Sequence, residues 1–197
     1  MPKIVDYNLR KQQIMREAIH VFIEEGYHKT KLHQIAERCN LGRTTIYKYF
    51  KDKNEIFYYA VNDIFSLLEN DYQRIANQPH LSQVDKIEAY IAKLLEDCYQ
   101  KKNFMLLLID LWLRLKRENC EVVNKVKERA HEIRLVFEKL LQEGIEKQEI
   151  RPLNVQSMSF TLFSLVESLI LQISFAEEMT PVKSLKSVNI LLNGLRA

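Results

Sequence analysis

From Arg43 to Lys53 the sequence reads RTTIYKYFKDK, a run that interleaves cations, hydroxyls and aromatic rings. A buried core would take the rings but not the lysines. Sorted by helical face, Ile46 and Phe50 stand four residues apart and turn inward. Arg43, Thr44, Tyr47 and Lys48 turn outward, with Thr45 and Tyr49 at the flanks. An outward set of cations, hydroxyls and phenols matches the base edges and phosphates of a DNA major groove. Lys53 falls in the first turn of the next helix, whose free N–H groups favour an anion. The chemistry implied is recognition of duplex DNA.

Bond-making chemistry finds little support. The chain has no Gly-rich phosphate loop, no G-x-S-x-G elbow and no H-E-x-x-H. Glu17–His20 and Glu128–His131 are both E-x-x-H pairs, the spacing used by di-iron helical bundles. Such a site needs the pairs to point inward, and here both fall on the polar faces of their helices. The chain is therefore not expected to be an enzyme, and neither metal nor cofactor is expected.

Two short helices must position the outward face. Leu32, Ile35 and Ala36 mark the buried side of the first, which ends near Cys39, with Thr30 placed to cap its start. Asn40 tolerates the left-handed backbone of a sharp turn. Leu41 plugs the corner, and a second helix runs from about Arg43 to Phe50. These are the dimensions of a helix-turn-helix. Ahead of it, Ile14, Met15, Ala18, Ile19, Phe22 and Ile23 predict a helix over about 8–25, stopped at Gly26. Behind it, Asp52 and Glu55 form a capping pair that opens a long helix to about residue 76. Further helices are predicted near 82–101, 104–117, 119–148, 154–176 and 181–195. Thr180 followed by Pro181 opens the last of these.

Composition agrees with an all-α fold. Glycine and proline occur only 4 times each in 197 residues, too few for the turns of β folds or the phosphate loops of nucleotide-binding α/β folds. Residues 1–55 hold 11 Lys and Arg against 7 Asp and Glu, whereas the remainder holds 18 against 19. The basic excess thus sits at the end that carries the outward face. No signal-peptide run opens the chain, and a cytoplasmic location is expected. The stretch MSFTLFSLVESLILQISF, residues 158–175, is long enough to span a membrane. Glu167 in its middle, among serines, predicts a bundle helix instead, with no membrane partner. Cys39, Cys98 and Cys120 lack C-x-x-C spacing and are expected to be reduced, structural thiols.

The stretch TKLHQIAERCNLGRTTIYKYFKDKNEIF, residues 30–57, resembles the signature of the tetracycline-repressor (TetR) family of transcriptional regulators. GIEKQEIRP, from Gly144, resembles that family's break between later helices. The resemblance implies an N-terminal three-helix DNA-binding domain over 1–52 and a larger helical ligand-binding and dimerisation domain over 53–197. It also implies a homodimer on palindromic double-stranded operator DNA, controlled by a small-molecule effector. Carried over by position, Thr45, Tyr47, Lys48 and Tyr49 contact DNA from the second helix. Thr30 and His33 do so from the preceding helix, and Lys53 binds phosphate. Many relatives have a serine cap where this chain has Gly42, and glycine where it has Asn40. The missing cap contact shifts weight onto Arg43 and Thr44.

The rest of the chain is too large merely to support a reading domain. NFMLLLIDLWLRL, residues 103–115, is apolar nearly all round and predicts a central buried helix. Tyr90, Tyr99, Trp112, Phe137, Phe163 and Glu167 are candidate lining residues for a pocket between helices, although a plain core is the favoured reading of each ring. Glu167 needs a partner on its apolar helix, whether a ligand, Gln172 or a subunit interface. A mostly apolar lining suits a hydrophobic effector. The last two long helices carry apolar residues on more than one face. Phe160, Phe163, Val166 and Ile170 oppose Leu162, Leu165, Leu169 and Ile173, and Leu185, Val188, Leu191, Leu192 and Leu195 follow. A homodimer through these helices is expected. The sequence thus reads as a ligand-responsive DNA-binding regulator, a repressor released by its effector. Activation and effector-independent repression are alternatives within that class. A helical protein-binding scaffold is the alternative outside it, and it leaves the outward cationic face idle.

Overall fold

The computed structural model describes residues 6–115, 121–176 and 178–197, without the side chains of 64–65, 110–115, 121–123 and 125–126. The described residues form α1 (Tyr7–Glu25), α2 (Leu32–Arg38), α3 (Arg43–Ile46), α4 (Lys53–Ala76), α5 (Gln83–Gln100), α6 (Lys102–Leu115), α7 (Glu121–Glu146), α8 (Val155–Phe175) and α9 (Pro181–Asn193). The fold is all-α, as the scarcity of glycine and proline requires. Its contacts divide into two compact units, one within residues 1–65 and 107–125 and the other within 66–106 and 126–197.

In the first unit α1 starts under Asp6, whose carboxylate accepts from the Asn8 N–H at 2.9 Å, and stops at Gly26 with φ 83°. Its buried stripe of Ile14, Met15, Ala18, Val21 and Phe22 meets Ile35 and Ala36 of α2 in one core with Ile46, Phe50, Ile56 and Phe57. Asn40 adopts the expected left-handed conformation, φ 54°, and the Leu41 N–H closes the corner on the Ala36 carbonyl at 2.8 Å.

Two local expectations are corrected. Thr30 does not cap α2: its hydroxyl donates to the Gly26 carbonyl at 2.9 Å, and the cap position falls on Lys31, whose N–H donates to the Gln34 side chain at 2.6 Å. The second short helix ends as an α-helix at Ile46, and the chain continues to Phe50 as a turn in which the Tyr49 and Phe50 N–H groups both reach the Ile46 carbonyl. The expected capping pair does open α4. Asp52 Oδ1 accepts from the Glu55 N–H at 2.9 Å, and Glu55 Oε2 accepts from the Lys51 N–H at 2.6 Å.

In the second unit Ser82 and Asp85 form a reciprocal capping box at the head of α5. This helix packs on α8 and α9 and buries Val84, Ile87, Tyr90, Ile91, Leu94 and Leu95. Tyr90 joins an aromatic chain, edge-on to Tyr72 at 5.7 Å and to Phe137 at 5.6 Å. Gly144 is required where it stands, since a Cβ there would lie 2.4 Å from the Ile150 side chain. The chain end is tied down as the Arg151 N–H donates to Leu195 and the Ala197 N–H to Glu149. Thr180 caps α9 with Pro181 in its first turn, as expected. Of the helix expected to be central, α6, Phe104, Met105 and Leu107 are buried, while Leu106, Leu108 and Ile109 are half-buried.

α8 is long and apolar enough to cross a membrane by length and composition alone. It buries only Ser159, Leu162, Val166, Ile173 and Ser174. Phe160, Glu167, Leu171 and Phe175 lie exposed along one line, at the spacing of a helical face. The expected division of this helix is corrected: Val166, expected beside Phe160, is buried with Leu162 and Ile173, while Phe160 is exposed. On α9, Val188 and Leu192 are buried while Val182, Ile190 and Leu191 are exposed.

Candidate nucleic-acid interface

The outward face rests on a helix of one turn, too short to stand without tertiary support. α3 has Gly42 at its cap position and no side-chain cap. It is held from below by Ile46 and Phe50, both almost fully buried. Around it, α2 is braced on α1: the Arg38 guanidinium makes paired bonds to Glu24 at 2.9 and 3.0 Å and approaches Glu17. The Arg10 guanidinium donates to the Cys39 carbonyl at 3.0 Å, filling an acceptor that the end of α2 leaves open. The Lys11 ammonium sits 4.7 Å from the Phe50 ring and 3.7 Å from the Glu55 carboxylate.

On this base Arg43, Thr44, Tyr47 and Lys48 share the exposed surface, Tyr47 with 62% of its area open. Arg43 lies 3.7 Å from Glu37, a solvated pair that an incoming phosphate can displace at little cost. Thr45, Tyr49 and His33 are half-buried at the margin. Thr30 is elsewhere: only 1% exposed, it holds the corner through Gly26. Lys53 is also engaged. Its ammonium donates to the carbonyls of Tyr27, His28 and Thr30 at 2.7, 3.1 and 3.0 Å, and lies 4.7 Å from the Tyr27 ring centre. An ammonium has three donors, so this lysine spends its hydrogen bonds inside the protein. Burial holds its pKa below the ordinary lysine value. The loop carbonyls that attract Lys53 gave no sequence signal, because their direction depends on how the α1–α2 loop closes.

One contributor carries no motif. The Tyr7 ring stacks on Tyr49, centroids 5.1 Å apart and planes 21° apart, and its hydroxyl donates to the Lys48 carbonyl at 3.1 Å. The contact joins positions 41 residues apart, which no local periodicity reveals.

The candidate ligand residues do not gather into one lining. Phe137 is fully buried against Tyr90, Phe163 is half-buried, and Tyr99 and Glu167 are exposed. The side chain of Trp112 lies outside the described residues. An open groove of about 590 Å³ runs between the end of α4, α5 and the start of α9, past Ala89, Ala92, Lys93 and Pro181, and none of these candidates borders it. Of the E-x-x-H pairs, His20, Glu128 and His131 are exposed and Glu17 half-buried, facing Arg38. Burial raises the pKa of both described thiols, Cys98 to about 12, as suits structural cysteines.

A helix-turn-helix with an exposed cationic and phenolic face, borne by an all-helical chain, defines a DNA-binding regulator. Residues 14–60 match the model of bacterial regulatory proteins of the tetR family, and residues 80–171 match that of a tetracyclin repressor-like C-terminal domain. The chain belongs to the TetR family and is a transcriptional regulator. It is 26% identical over 169 residues to the uncharacterized HTH-type regulator YhgD of Bacillus subtilis, covering 82% of each chain. It is 28% identical over 143 residues to the fatty acid metabolism regulator protein of the same organism, covering 71% of this chain and 70% of the relative. Its fold matches that of the regulator FadR from Bacillus subtilis in complex with stearoyl-CoA, with a TM-score of 0.73 and 24% identity over 92% of this chain and 96% of the other.

Proposed function

We propose that the protein is a homodimeric repressor whose reading head, residues 1–52, binds palindromic operator DNA, and whose body, residues 53–197, binds an effector that releases it. The observation that carries this reading is the exposed set Arg43, Thr44, Tyr47 and Lys48 on α3 and the turn after it, held from below by Ile46 and Phe50. Tyr47 and Lys48 read base edges, Arg43 and Thr44 take phosphate or the base at the margin, and Thr45, Tyr49 and His33 close the rim. Thr30 and Lys53 support the face from behind. Lys53 adds charge to the local potential but no free donor. The protein works in the cytoplasm, where the DNA is.

Two half-sites need two heads, and a second copy has a place to dock. The exposed apolar residues of α8 and α9, Phe175 at 66% and Ile190 at 75% among them, form the kind of patch that a two-fold partner covers. The effector is an acyl-CoA thioester. Support comes from the relative that regulates fatty acid metabolism and from the fold neighbour holding stearoyl-CoA. Linkage requires that operator DNA weaken acyl-CoA binding by the factor with which acyl-CoA weakens operator binding, typically about 5 to 150-fold.

Fluorescence anisotropy with duplex DNA from upstream of the protein's own gene, titrated with and without stearoyl-CoA, tests both parts. Specific binding that stearoyl-CoA reverses is expected. Binding no tighter than to scrambled duplex would remove the repressor reading, and operator binding indifferent to stearoyl-CoA would remove that effector class.

A further inference from the structure

The residue that fixes the far end of the reading helix lies outside the helix-turn-helix. α3 has only four helical residues, so its own length does little to fix the turn that follows it. The backbone then turns, with the Lys48 N–H on Thr45 and the Tyr49 N–H on Ile46. The Lys48 carbonyl points back toward the first turn of α1, where the Tyr7 hydroxyl meets it at 3.1 Å. The Tyr7 ring lies flat on Tyr49. Tyr7 is itself anchored, since the Asp6 carboxylate before it accepts from the N–H groups of Asn8 and Leu9 just after it. One side chain therefore grips the backbone of Lys48, the last member of the outward set, and the ring of Tyr49 at its flank. With 50% of its area open, it contributes little to the core.

We propose that Tyr7 is a positioning residue of the DNA-reading face, holding the Lys48–Tyr49 turn in its reading conformation through the hydroxyl bond and the ring stack. This rests on the assignment of the α3 face to DNA. Preorganisation of this kind acts on sequence-specific contacts, which need fixed directions. Non-operator binding rests on phosphate charge and tolerates a loose turn.

The experiment measures operator and scrambled-duplex affinity for full-length wild type, Tyr7→Phe, Tyr7→Ala and Lys48→Ala, with a thermal melt of each. Tyr7→Ala, losing stack and hydrogen bond, is expected to weaken operator binding about tenfold. Tyr7→Phe, losing only the bond, should weaken it about threefold. Scrambled-duplex affinity is expected to stay within about twofold in both. A purely structural Tyr7 would instead lower the melting temperature and both affinities together, leaving their ratio unchanged, and that result overturns the proposal. Lys48→Ala separates the two claims. If it abolishes the operator preference while Tyr7→Ala keeps it, the Tyr7 role alone is wrong. If Lys48→Ala also keeps the preference, the assignment of the face itself falls.

Discussion

α3 and α8 each leave a face uncovered, and the two faces differ in chemistry. α3 and the turn after it present Arg43, Thr44, Tyr47 and Lys48. α8 presents Phe160, Leu171 and Phe175, with one carboxylate, Glu167, between them. The first face carries donors and charge that water satisfies when nothing is bound, so it can stand open indefinitely. The second sets large apolar side chains among exposed polar ones, Thr161, Ser168 and Gln172, and its apolar share is best satisfied when something apolar covers it. The contrast separates a face built to meet a polyanion reversibly from one built to stay covered. It also predicts opposite responses to salt, because charge contacts are screened and apolar burial is not.

The largest effect is expected from a charge in the apolar line. In the proposed dimer Leu171→Lys places one cation on each copy of the interface, and two hot-spot losses of about 2 kcal/mol each amount to roughly a thousandfold weaker dimer. Sedimentation equilibrium should show a monomer at micromolar concentration. The melting temperature of that monomer should stay near that of a dissociated wild-type chain, because Leu171 is exposed in the isolated chain. A dimer that survives Leu171→Lys unchanged would mean that α8 meets some other surface.

Next comes the polar face. Tyr47→Ala with Lys48→Ala removes two side chains of the reading set, at about 1–3 kcal/mol each, so operator affinity should fall roughly a hundredfold. The dimer should be untouched, and the preference for operator over scrambled duplex should shrink, because both lost side chains are assigned to base edges. Full operator affinity in the double variant would show that α3 is not the reading helix.

Lys48 and Lys53 sharpen the same comparison within the head. Lys48 is exposed, whereas Lys53 is bound to three carbonyls. Lys53→Met leaves those acceptors without a charged donor and should cost about 1–3 kcal/mol of head stability, seen as a lower melting temperature. The salt slope should stay unchanged. A salt slope that drops by about one, with no loss of stability, would return Lys53 to phosphate binding.

The sequence was legible wherever the physics is local. Asn40 could be placed in left-handed backbone because few residues tolerate it, and Asp52 with Glu55 announced the start of α4 because capping depends on a three-residue spacing. Ile46 and Phe50 were identified as inward by spacing alone. Legibility failed where partners are distant in sequence. Thr30 has the composition of a cap, but its hydroxyl had a nearer carbonyl in Gly26. Lys53 looked free because nothing in its neighbours names the loop that claims it. Tyr7 gave no signal at all. The candidate ligand residues were chosen as large side chains on apolar helices, a criterion that Phe137 in the core and Tyr99 at the surface satisfy equally.

The smallest expected effect concerns Glu167, the one carboxylate in the apolar line of α8. Although much of its surface is open, its apolar neighbours partly desolvate the carboxyl and raise its pKa above the ordinary glutamate value. Covering the line with a second copy desolvates it further, so association should favour the protonated form. The sign then follows from linkage. An acid whose pKa is higher in the associated state than in the free chain binds protons on association. Its full contribution is present below the free-chain pKa and fades as the pH rises through the raised value. Self-association of wild type should therefore weaken as the pH is raised from the ordinary carboxylate range, about 4.3, toward neutrality. Glu167→Gln, which keeps the shape and removes the titration, should associate more tightly than wild type at pH 7 and lose the pH dependence. The check is sedimentation equilibrium of both proteins across that range. If the partner surface instead supplies a cation to Glu167, the trend reverses: wild-type association strengthens with pH and the glutamine variant associates more weakly.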